Sequence, residues 1–372
     1  MEGNAILVTG ASGFIGSRLV EELWRRQRHL LLLCRPASEA RLRHKLARLG
    51  VEFDERIEVI GGDITRENLG LSPRLLERLQ WQVAEVFHLA AAYRLDMGPD
   101  EARQVNVEGT RNLLELAARL PGLRRFHHVS TMAVAGDFSG VYGEDDFDVG
   151  QDFAHAYGRS KFSAEGLVRQ AGRRLPVTIY RPGVVVGDSR TGSIDKLDGP
   201  YYLLRLLDRL RGLPGWRHLP MIVAREEGFL FHIVPVDYVV HGLVELAASE
   251  HSRGGTFHLM DPRPPGYAGF YRKILDIMGF RGPRLARPVT RAVRLLNRGA
   301  ARGITHRVMG RLGVPPQLLA HLLYRVEYGT ERARALLDPI GICCPYWQEY
   351  VPAMVRFFEQ NLAVRRTRSE VA

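Results

Sequence analysis

The stretch Thr9-Gly10-Ala11-Ser12-Gly13-Phe14-Ile15-Gly16 joins an apolar run, Ala5–Val8, to an amphipathic run, Phe14–Arg26. The first run predicts a buried strand, and the second predicts a helix with one apolar face. Three glycines at this spacing make a tight turn, let a pyrophosphate approach the backbone, and let the helix pack closely on the strand. We therefore predict a dinucleotide-binding loop, with an ordinary strand–turn–helix as the alternative.

Beyond this loop, short apolar runs alternate with amphipathic runs. Such alternation is typical of a parallel sheet with helices on both faces, so we expect an α/β fold with a doubly wound parallel Rossmann sheet. We expect residues 1–187 to form the cofactor-binding core, completed by about 232–260. Residues 188–231 and 261–372 should form a smaller, mostly helical substrate-binding region with a basic C-terminal extension. The predicted strands are Leu30–Cys34, Ile57–Ile60, Glu85–Leu89 and Phe126–Val129, and the predicted helices are Arg41–Leu49 and Asn106–Ala118.

The composition of the 372 residues is that of a globular protein with a net charge of +11. Cys34, Cys343 and Cys344 are too few for a disulfide framework and lack metal-ligand spacing, and the histidines are scattered, so we expect no metal site. The first residues do not resemble a signal peptide, and no apolar run is long enough to span a bilayer. We therefore expect a cytoplasmic protein.

The end of the second strand, Leu33-Cys34-Arg35-Pro36, bears on which dinucleotide binds. An acidic residue here would favour NAD, whereas Arg35 can stack on adenine and pair with a 2′-phosphate. Arg41, Arg43 and Lys45 follow closely, and we predict NADPH, with an exposed surface arginine as the alternative. Asp63, after the third strand, could accept a hydrogen bond from the adenine amino group, or could simply hold a turn.

The fifth predicted strand ends at Ser130-Thr131, and Tyr157 and Lys161 follow later in the chain. We predict that Thr131, Tyr157 and Lys161 form a catalytic group. Residues at i and i+4 share one helix face, which places the lysine ammonium beside the phenol. We expect this ammonium to lower the tyrosine pKa from its ordinary value of about 10. Thr131 could then bind the substrate oxygen while Tyr157 donates a proton as hydride arrives. The alternative is a helix with an ordinary, partly buried tyrosine.

The motifs described above, and their order along the chain, resemble those of the extended short-chain dehydrogenase/reductase superfamily. Within it, the chain looks most like the fatty acyl-CoA reductase and thioester reductase branch, which is of the male-sterility type. Three features carry the narrower resemblance: Cys34-Arg35-Pro36, Gly62-Asp63-Ile64, and Gly187–Gly192 followed by Asp195. The motifs of the wider superfamily are Thr9–Gly16, His88-Leu89-Ala90-Ala91, Asn106–Thr110, Ser130-Thr131, Tyr157–Lys161 and Arg181-Pro182-Gly183.

The resemblance implies roles for individual residues. Thr131, Tyr157 and Lys161 would be catalytic, supported by Asn106, and an acyl thioester would be reduced through a hemithioacetal to an aldehyde, with release of coenzyme A. The substrate would contact Thr131, Met132, Tyr201 and Tyr202. NADPH would contact Thr9, Gly10, Ser12, Gly13, Phe14, Ile15, Gly16, Arg35, Asp63, Ile64, Ala90, Ala91, Tyr157, Lys161, Pro182, Gly183 and Val184.

The later part of the chain suggests a substrate pocket and a basic surface. The apolar helix after Pro200 and an apolar strand over Gly228–Val234 would suit a long acyl chain, although core packing is the alternative for each side chain. Ten arginines lie between residues 281 and 325, several at helical steps, and no acid falls among them. We expect this segment to contact a membrane surface, at the inner face, or coenzyme A; a solvated basic face is the alternative, and nucleic acid is not expected.

The leading prediction is thus an NADPH-dependent reductase of fatty acyl-CoA, which forms the aldehyde or goes on to the alcohol. One alternative is a ketone or hydroxysteroid-type alcohol dehydrogenase with the same catalytic residues. Another is a non-enzymatic protein that senses the cofactor. The oligomeric state is left open, with a homodimer as one option.

Overall fold

The computed structural model describes residues 3–93, 97–195, 197–224, 229–287 and 325–370, together with five separate residues between 303 and 310. The strands in chain order are β1 (Ala5–Thr9), β2 (Leu30–Cys34), β3 (Ile57–Gly61), β4 (Val83–His88), β5 (Arg125–Val129), β6 (Ser139–Tyr142), β7 (Val177–Pro182), β8 (Val184–Val186), β9 (Met221–Ala224), β10 (Ile233–Pro235), β11 (Thr256–Leu259), β12 (Arg284–Arg287) and β13 (Arg325–Tyr328). The α-helices are α1 (Phe14–Arg25), α2 (Glu39–Ala47), α3 (Pro73–Gln82), α4 (Pro99–Ala102), α5 (Gly109–Ala117), α6 (Ala156–Ala171), α7 (Tyr201–Leu210), α8 (Val236–Ala248), α9 (Tyr267–Ile277), α10 (Glu331–Leu337) and α11 (Trp347–Glu370).

In the described part of the chain, a seven-stranded sheet has the order β11-β7-β5-β4-β1-β2-β3, and every neighbouring pair is parallel. The doubly wound α/β fold predicted from the sequence is therefore correct. Strand order reverses between β1 and β4, where Val8 pairs with Leu32 on one side and Phe87 on the other. A crevice forms at the carboxyl end of such a switch point, and this is where open α/β sheets bind ligands.

Both faces of the sheet are covered because alternate side chains of each strand point to opposite faces. On one face, Leu19 and Leu23 of α1 and Leu243 of α8 pack against Ile6 and Val8. On the other face, leucines of α5 and Val168 of α6 pack against Leu7 and Val86 in the same way. Each fully buried leucine or valine stabilises the fold by about 1.5–3 kcal/mol, which holds the carboxyl edge of the sheet in place.

The C-terminal region contains strand pairs as well as helices. Helices α7, α9 and α11 share an apolar cluster, while β9 pairs with β12 and β13 pairs with β6, both in parallel. The predicted strand over Gly228–Val234 is wrong in extent: β10 pairs with β8, and Leu230 makes only an isolated bridge to Gly266. No helix in the described ranges is both long and apolar enough to cross a bilayer.

The arginine-rich segment also departs from its prediction. Arg284 and Arg287 lie on strand β12 rather than at helical steps, because this stretch pairs residue by residue with β9. The arginines at positions 291, 294, 298, 302 and 311 lie outside the described residues.

Candidate active site

A cleft of about 2030 Å³ opens at the carboxyl edge of the sheet, over the switch point. The glycine loop forms one end, the predicted catalytic side chains lie in the middle, and the C-terminal region forms the far wall. Most predicted site residues line this cleft: Gly10, Ser12, Gly13, Phe14, Ile15, Gly16, Arg35, Ala91, Thr131, Met132, Tyr157, Lys161, Pro182, Gly183, Val184 and Tyr202.

The glycine loop has no room for side chains. Gly10 has a φ of +76°, and a Cβ there would lie 2.6 Å from the backbone nitrogen of Ala90. A Cβ on Gly16 would lie 2.1 Å from the carbonyl oxygen of Gly10. The loop leads into α1 at Gly13, which offers no capping side chain, and first-turn amides have no acceptor within a helix. The loop therefore fits the pyrophosphate of a dinucleotide.

A basic rim extends from this loop along α2. Arg35, Arg41, Lys45 and Arg48 line the cleft, which suits an additional phosphate. Lys45 Nζ donates to the carbonyls of Ser12 (3.0 Å) and Gly13 (2.7 Å), and it pairs with Asp195 at 2.6 Å. The sequence indicated a basic helix here, but it did not show that Lys45 reaches back to the glycine loop.

Arg43, which the sequence grouped with these cations, lies elsewhere. Its Nε donates to Glu39 at 2.8 Å, and its guanidinium lies over the ring of Phe53, 4.6 Å from the centroid. The reason is helical phase, because Arg43 follows Arg41 by only two residues and the two side chains face different directions.

The catalytic side chains meet at the end of β5. His155 caps the start of helix α6, where its Nδ1 accepts from the Gly158 amide at 3.0 Å, and Tyr157 lies in the first turn. The Tyr157 hydroxyl is hydrogen-bonded to that of Thr131. Lys161 Nζ is buried one turn later and donates to the carbonyl of Val129 at 2.8 Å. All three side chains line the same cleft, at the end of β5 and on the first turns of α6.

The electrostatics of Tyr157 differ from the expectation. Burial raises the pKa of Tyr157 to about 12, and the hydrogen bond with Thr131 offsets this only in part. The prediction that Lys161 would lower this pKa below its ordinary value is therefore wrong in direction here, because desolvation dominates and the ammonium is hydrogen-bonded to Val129. Burial also lowers the pKa of Lys161 to about 8. At neutral pH the phenol is protonated, as a proton donor must be.

Asn106 lies behind the cleft rather than in its lining. It is part of a π-helix, Arg103–Glu108, which forms the start of the predicted Asn106–Ala118 helix. Its Oδ1 accepts from the Ala92 amide at 2.7 Å, and its Nδ2 donates to Ser160 Oγ at 2.9 Å. Ser160 Oγ donates in turn to the Tyr157 carbonyl at 2.9 Å. Asn106 therefore connects the segment after β4 to the first turn of α6.

A buried histidine also holds this π-helix, although sequence reasoning assigned it no role. His88 lies between Thr9 (Nδ1 to Oγ1, 2.8 Å) and Thr110 (Nε2 to Oγ1, 2.9 Å). Thr110 Oγ1 donates onward to the Asn106 carbonyl at 2.7 Å. Burial lowers the pKa of His88 to about 3, so the ring is neutral. The signal was present in the motifs that contain His88 and Thr110.

Other predicted site residues also lie outside the cleft lining. Asp63 Oδ1 accepts from the amide and hydroxyl of Thr65 at 2.9 and 2.8 Å, as an aspartate that holds a turn does. Tyr201 is fully buried, and its hydroxyl accepts from the Gly187 amide at 3.1 Å. The remaining residues outside the lining are Thr9, Ile64 and Ala90.

Tyr93 is a cleft residue that sequence reasoning missed. Its ring meets the Tyr157 ring edge-on, with centroids 4.9 Å apart. It lies two residues after the His88–Ala91 motif, but nothing in the pattern showed that its side chain turns toward α6. In the part of the chain that the structure describes, no group of three His, Cys, Asp or Glu side chains could hold a metal ion.

Comparison with known proteins adds to this geometry. Residues 8–243 match the male sterility protein family, an NAD-binding family. The chain is 32% identical over 283 residues to the glycine betaine reductase ATRR of Emericella nidulans, covering 71% of this chain and 21% of that protein. It is 28% identical over 286 residues to the fatty acyl-CoA reductase wat of Drosophila melanogaster, covering 65% of this chain and 53% of that protein.

Among solved structures, the terminal R domain from the myxalamid PKS-NRPS biosynthetic pathway superposes with a TM-score of 0.77. It is 28% identical, and the match covers 97% of this chain and 92% of that one. The chain thus spans nearly a whole R domain but only about a fifth of the fungal reductase and half of the fly enzyme. It belongs to the male sterility protein family of NAD(P)-dependent reductases, and it is similar over nearly its whole length to an R domain.

Proposed function

We propose that this chain reduces acyl thioesters with NADPH, with fatty acyl-CoA as the leading substrate. The product is an aldehyde, which the same site can reduce further to an alcohol. The placement of Thr131, Tyr157 and Lys161 in one cleft, with the Thr131 and Tyr157 hydroxyls hydrogen-bonded to each other, carries this proposal. The catalytic groups of a short-chain reductase must lie close to one another, because carbonyl reduction requires a bound substrate oxygen and a proton donor at the same place.

A nicotinamide cofactor bound to the glycine loop would supply the hydride. The Thr131 and Tyr157 hydroxyls would bind the thioester oxygen and stabilise the negative charge that develops on it. Tyr157, protonated at neutral pH, would donate its proton to form a hemithioacetal. Lys161 would stabilise the phenolate that remains, since it lies one turn after Tyr157 on α6 and its side chain is buried. Collapse of the hemithioacetal would release the thiol and the aldehyde.

The preference for NADPH rests on the basic rim. Arg35 follows β2, where the adenosine ribose of a dinucleotide lies, and Arg41, Lys45 and Arg48 extend the positive charge. Arg35→Asp should raise the KM for NADPH relative to that for NADH, because a carboxylate repels a 2′-phosphate. Arg43→Asp is the matched control, since Arg43 pairs with Glu39. An unchanged ratio of the two KM values in Arg35→Asp would remove NADPH from the proposal.

The acyl side of the proposal rests on the far wall of the cleft. Tyr202, Leu203 and Leu206 of α7 line it, together with Phe229 and Phe270. This apolar wall favours an acyl chain, although a ketone or steroid would also fit an apolar surface. We accordingly assign residues 188–231 and 261–372 to substrate binding, and 1–187 with about 232–260 to the cofactor.

Thiol release separates the two substrate classes. NADPH consumption is followed over acyl-CoAs, aldehydes and steroid ketones, with free thiol measured in parallel. Only thioester reduction liberates coenzyme A, so thiol release supports the proposal, with one oxidised cofactor per thiol for an aldehyde product and two for an alcohol. NADPH consumption with ketones and without thiol would support the alcohol dehydrogenase alternative, and cofactor binding without any turnover would support a sensor. Tyr157→Phe should retain cofactor binding and lose turnover.

Membrane contact through the segment 281–325 stays part of the proposal, with a cytoplasmic location at the inner membrane face. Its support is the acid-free run of ten arginines, five of which lie outside the described residues. An acyl substrate partitions into lipid, which would make such contact useful. Co-sedimentation with anionic liposomes tests it, and absence of binding at low salt would contradict it.

A further inference from the structure

A buried chain of hydrogen bonds begins at Ser130, the residue before Thr131. Ser130 Oγ donates to Glu165 Oε2 at 2.6 Å, and Arg181 Nη2 donates to Glu165 Oε1 at 2.6 Å. Glu165 and Arg181 have no exposed surface, and Ser130 is 4% exposed. A fully paired network of this kind is rigid, because each group would otherwise be buried without a partner.

The chain continues to the C-terminal region. Arg181 Nη1 donates to His258 Nε2 at 3.2 Å, and His258 Nδ1 donates to the carbonyl of Gly329 at 2.6 Å. Burial lowers the pKa of His258 to about 3, so this ring is neutral and can accept at one nitrogen while it donates at the other. The network thus ties the segment just after β13 to the start of the Ser130–Thr131 loop.

A second connection reaches the other side of the same loop. Tyr328, the last residue of β13, donates its hydroxyl to the carbonyl of Met132 at 2.9 Å. Its ring packs edge-on against His232, with centroids 4.8 Å apart. His232 Nε2 donates to the carbonyl of Val326 at 2.9 Å, which anchors the strand. Tyr328, Val326 and Met132 all line the cleft.

Together the two connections form a closed ring around Thr131. Ser130 is held through Glu165, Met132 is held by Tyr328, and Thr131 lies between them. Loss of the bond to Met132 would free the peptide that follows Thr131 to rotate. Since the Thr131 hydroxyl must reach Tyr157, a small rotation would lengthen that hydrogen bond.

We propose that Tyr328 is a positioning residue for catalysis, which holds Thr131 in reach of Tyr157 through its hydrogen bond to the Met132 carbonyl. This inference rests on the proposed function. It also assigns a role to a residue beyond 8–243, the part of the chain that matches the family. The substrate site is then completed by a strand that lies 196 residues along the chain from Met132.

The test compares Tyr328→Phe with Tyr142→Phe. Tyr142 is its partner in the β13–β6 pair, and its hydroxyl also donates to a backbone carbonyl, that of Phe147, at 2.8 Å. Each variant keeps its ring and loses one hydrogen bond, so both should lose similar thermal stability. Only Tyr328→Phe should lower kcat, by about tenfold, with the KM values changed less than twofold. A kcat within twofold of the wild type, or an equal loss in Tyr142→Phe, would overturn the inference.

A double-mutant cycle with Thr131→Val shows whether Tyr328 acts through Thr131. If it does, Tyr328→Phe should lower kcat less than twofold when Thr131 is already replaced. An equal loss in both backgrounds would refute the positioning role.

Crystal structures of the two tyrosine variants test the positioning role of Tyr328 independently of the proposed function. If the wild type reduces no thioester, the proposed function fails. A Thr131–Met132 peptide displaced in Tyr328→Phe but not in Tyr142→Phe would still support the positioning role, and an undisplaced peptide would reject it.

Discussion

Replacement of Glu165 by Gln should be one of the most destabilising conservative changes in this chain. The carboxylate accepts from Arg181 at 2.6 and 3.2 Å, from Arg169 at 2.9 Å and from Ser130 at 2.6 Å. It is fully buried, and the nearby guanidinium groups keep its pKa low despite burial. Gln preserves the shape but leaves the buried Arg181 charge uncompensated, which costs about 3–5 kcal/mol.

Urea unfolding of the wild type and of Glu165→Gln measures this loss. Glu39→Gln is the control, because its pair with Arg43 is of similar length, 2.8 Å, but the two side chains are 40% and 46% exposed. Water screens that pair, so its loss should cost less than about 0.5 kcal/mol. A loss below about 1 kcal/mol for Glu165→Gln would refute the reasoning, since the buried charge would then be stabilised without its partner. A decrease in kcat should accompany the larger loss, because Ser130 is anchored to Glu165.

Two further predictions concern the cofactor loop and the buried histidines. Gly16→Ala should weaken NADPH binding about tenfold or more in a fluorescence titration, because its Cβ would lie 2.1 Å from a backbone oxygen. Gly122→Ala is the control, since a Cβ at Gly122 would have no atom within 4 Å. Equal NADPH affinity in the two variants would contradict the close packing at Gly16. His88, His232 and His258 have pKa values lowered by burial to about 3, 4 and 3, so the folded state binds fewer protons than the unfolded state below pH ~6.5. The free energy of unfolding should therefore fall as the pH is lowered from about 6.5 toward 4, by about 1.4 kcal/mol per pH unit for each histidine. A Tm that does not change between pH 7 and pH 5 would exclude neutral buried rings.

Local patterns in the sequence were enough to predict the cofactor end of the molecule. A strand, a glycine turn and a helix lie within about twenty residues, and periodicities of two and 3.6 describe such elements directly. The same argument placed Tyr157 and Lys161 on one helix, with Thr131 at the end of β5, and all three line the cleft. Chain-local geometry determines these relationships, so distant segments did not need to be known.

Tertiary packing alone decided how those residues behave. The pKa of Tyr157 is raised rather than lowered because burial, which depends on every segment around the cleft, outweighs the hydrogen bond with Thr131. Which of two adjacent tyrosines faces the cleft, Tyr202 rather than Tyr201, follows from the packing of α7 against its neighbours. The contact of Tyr328 with Met132 joins residues far apart in the chain, and no local periodicity encodes such a pair.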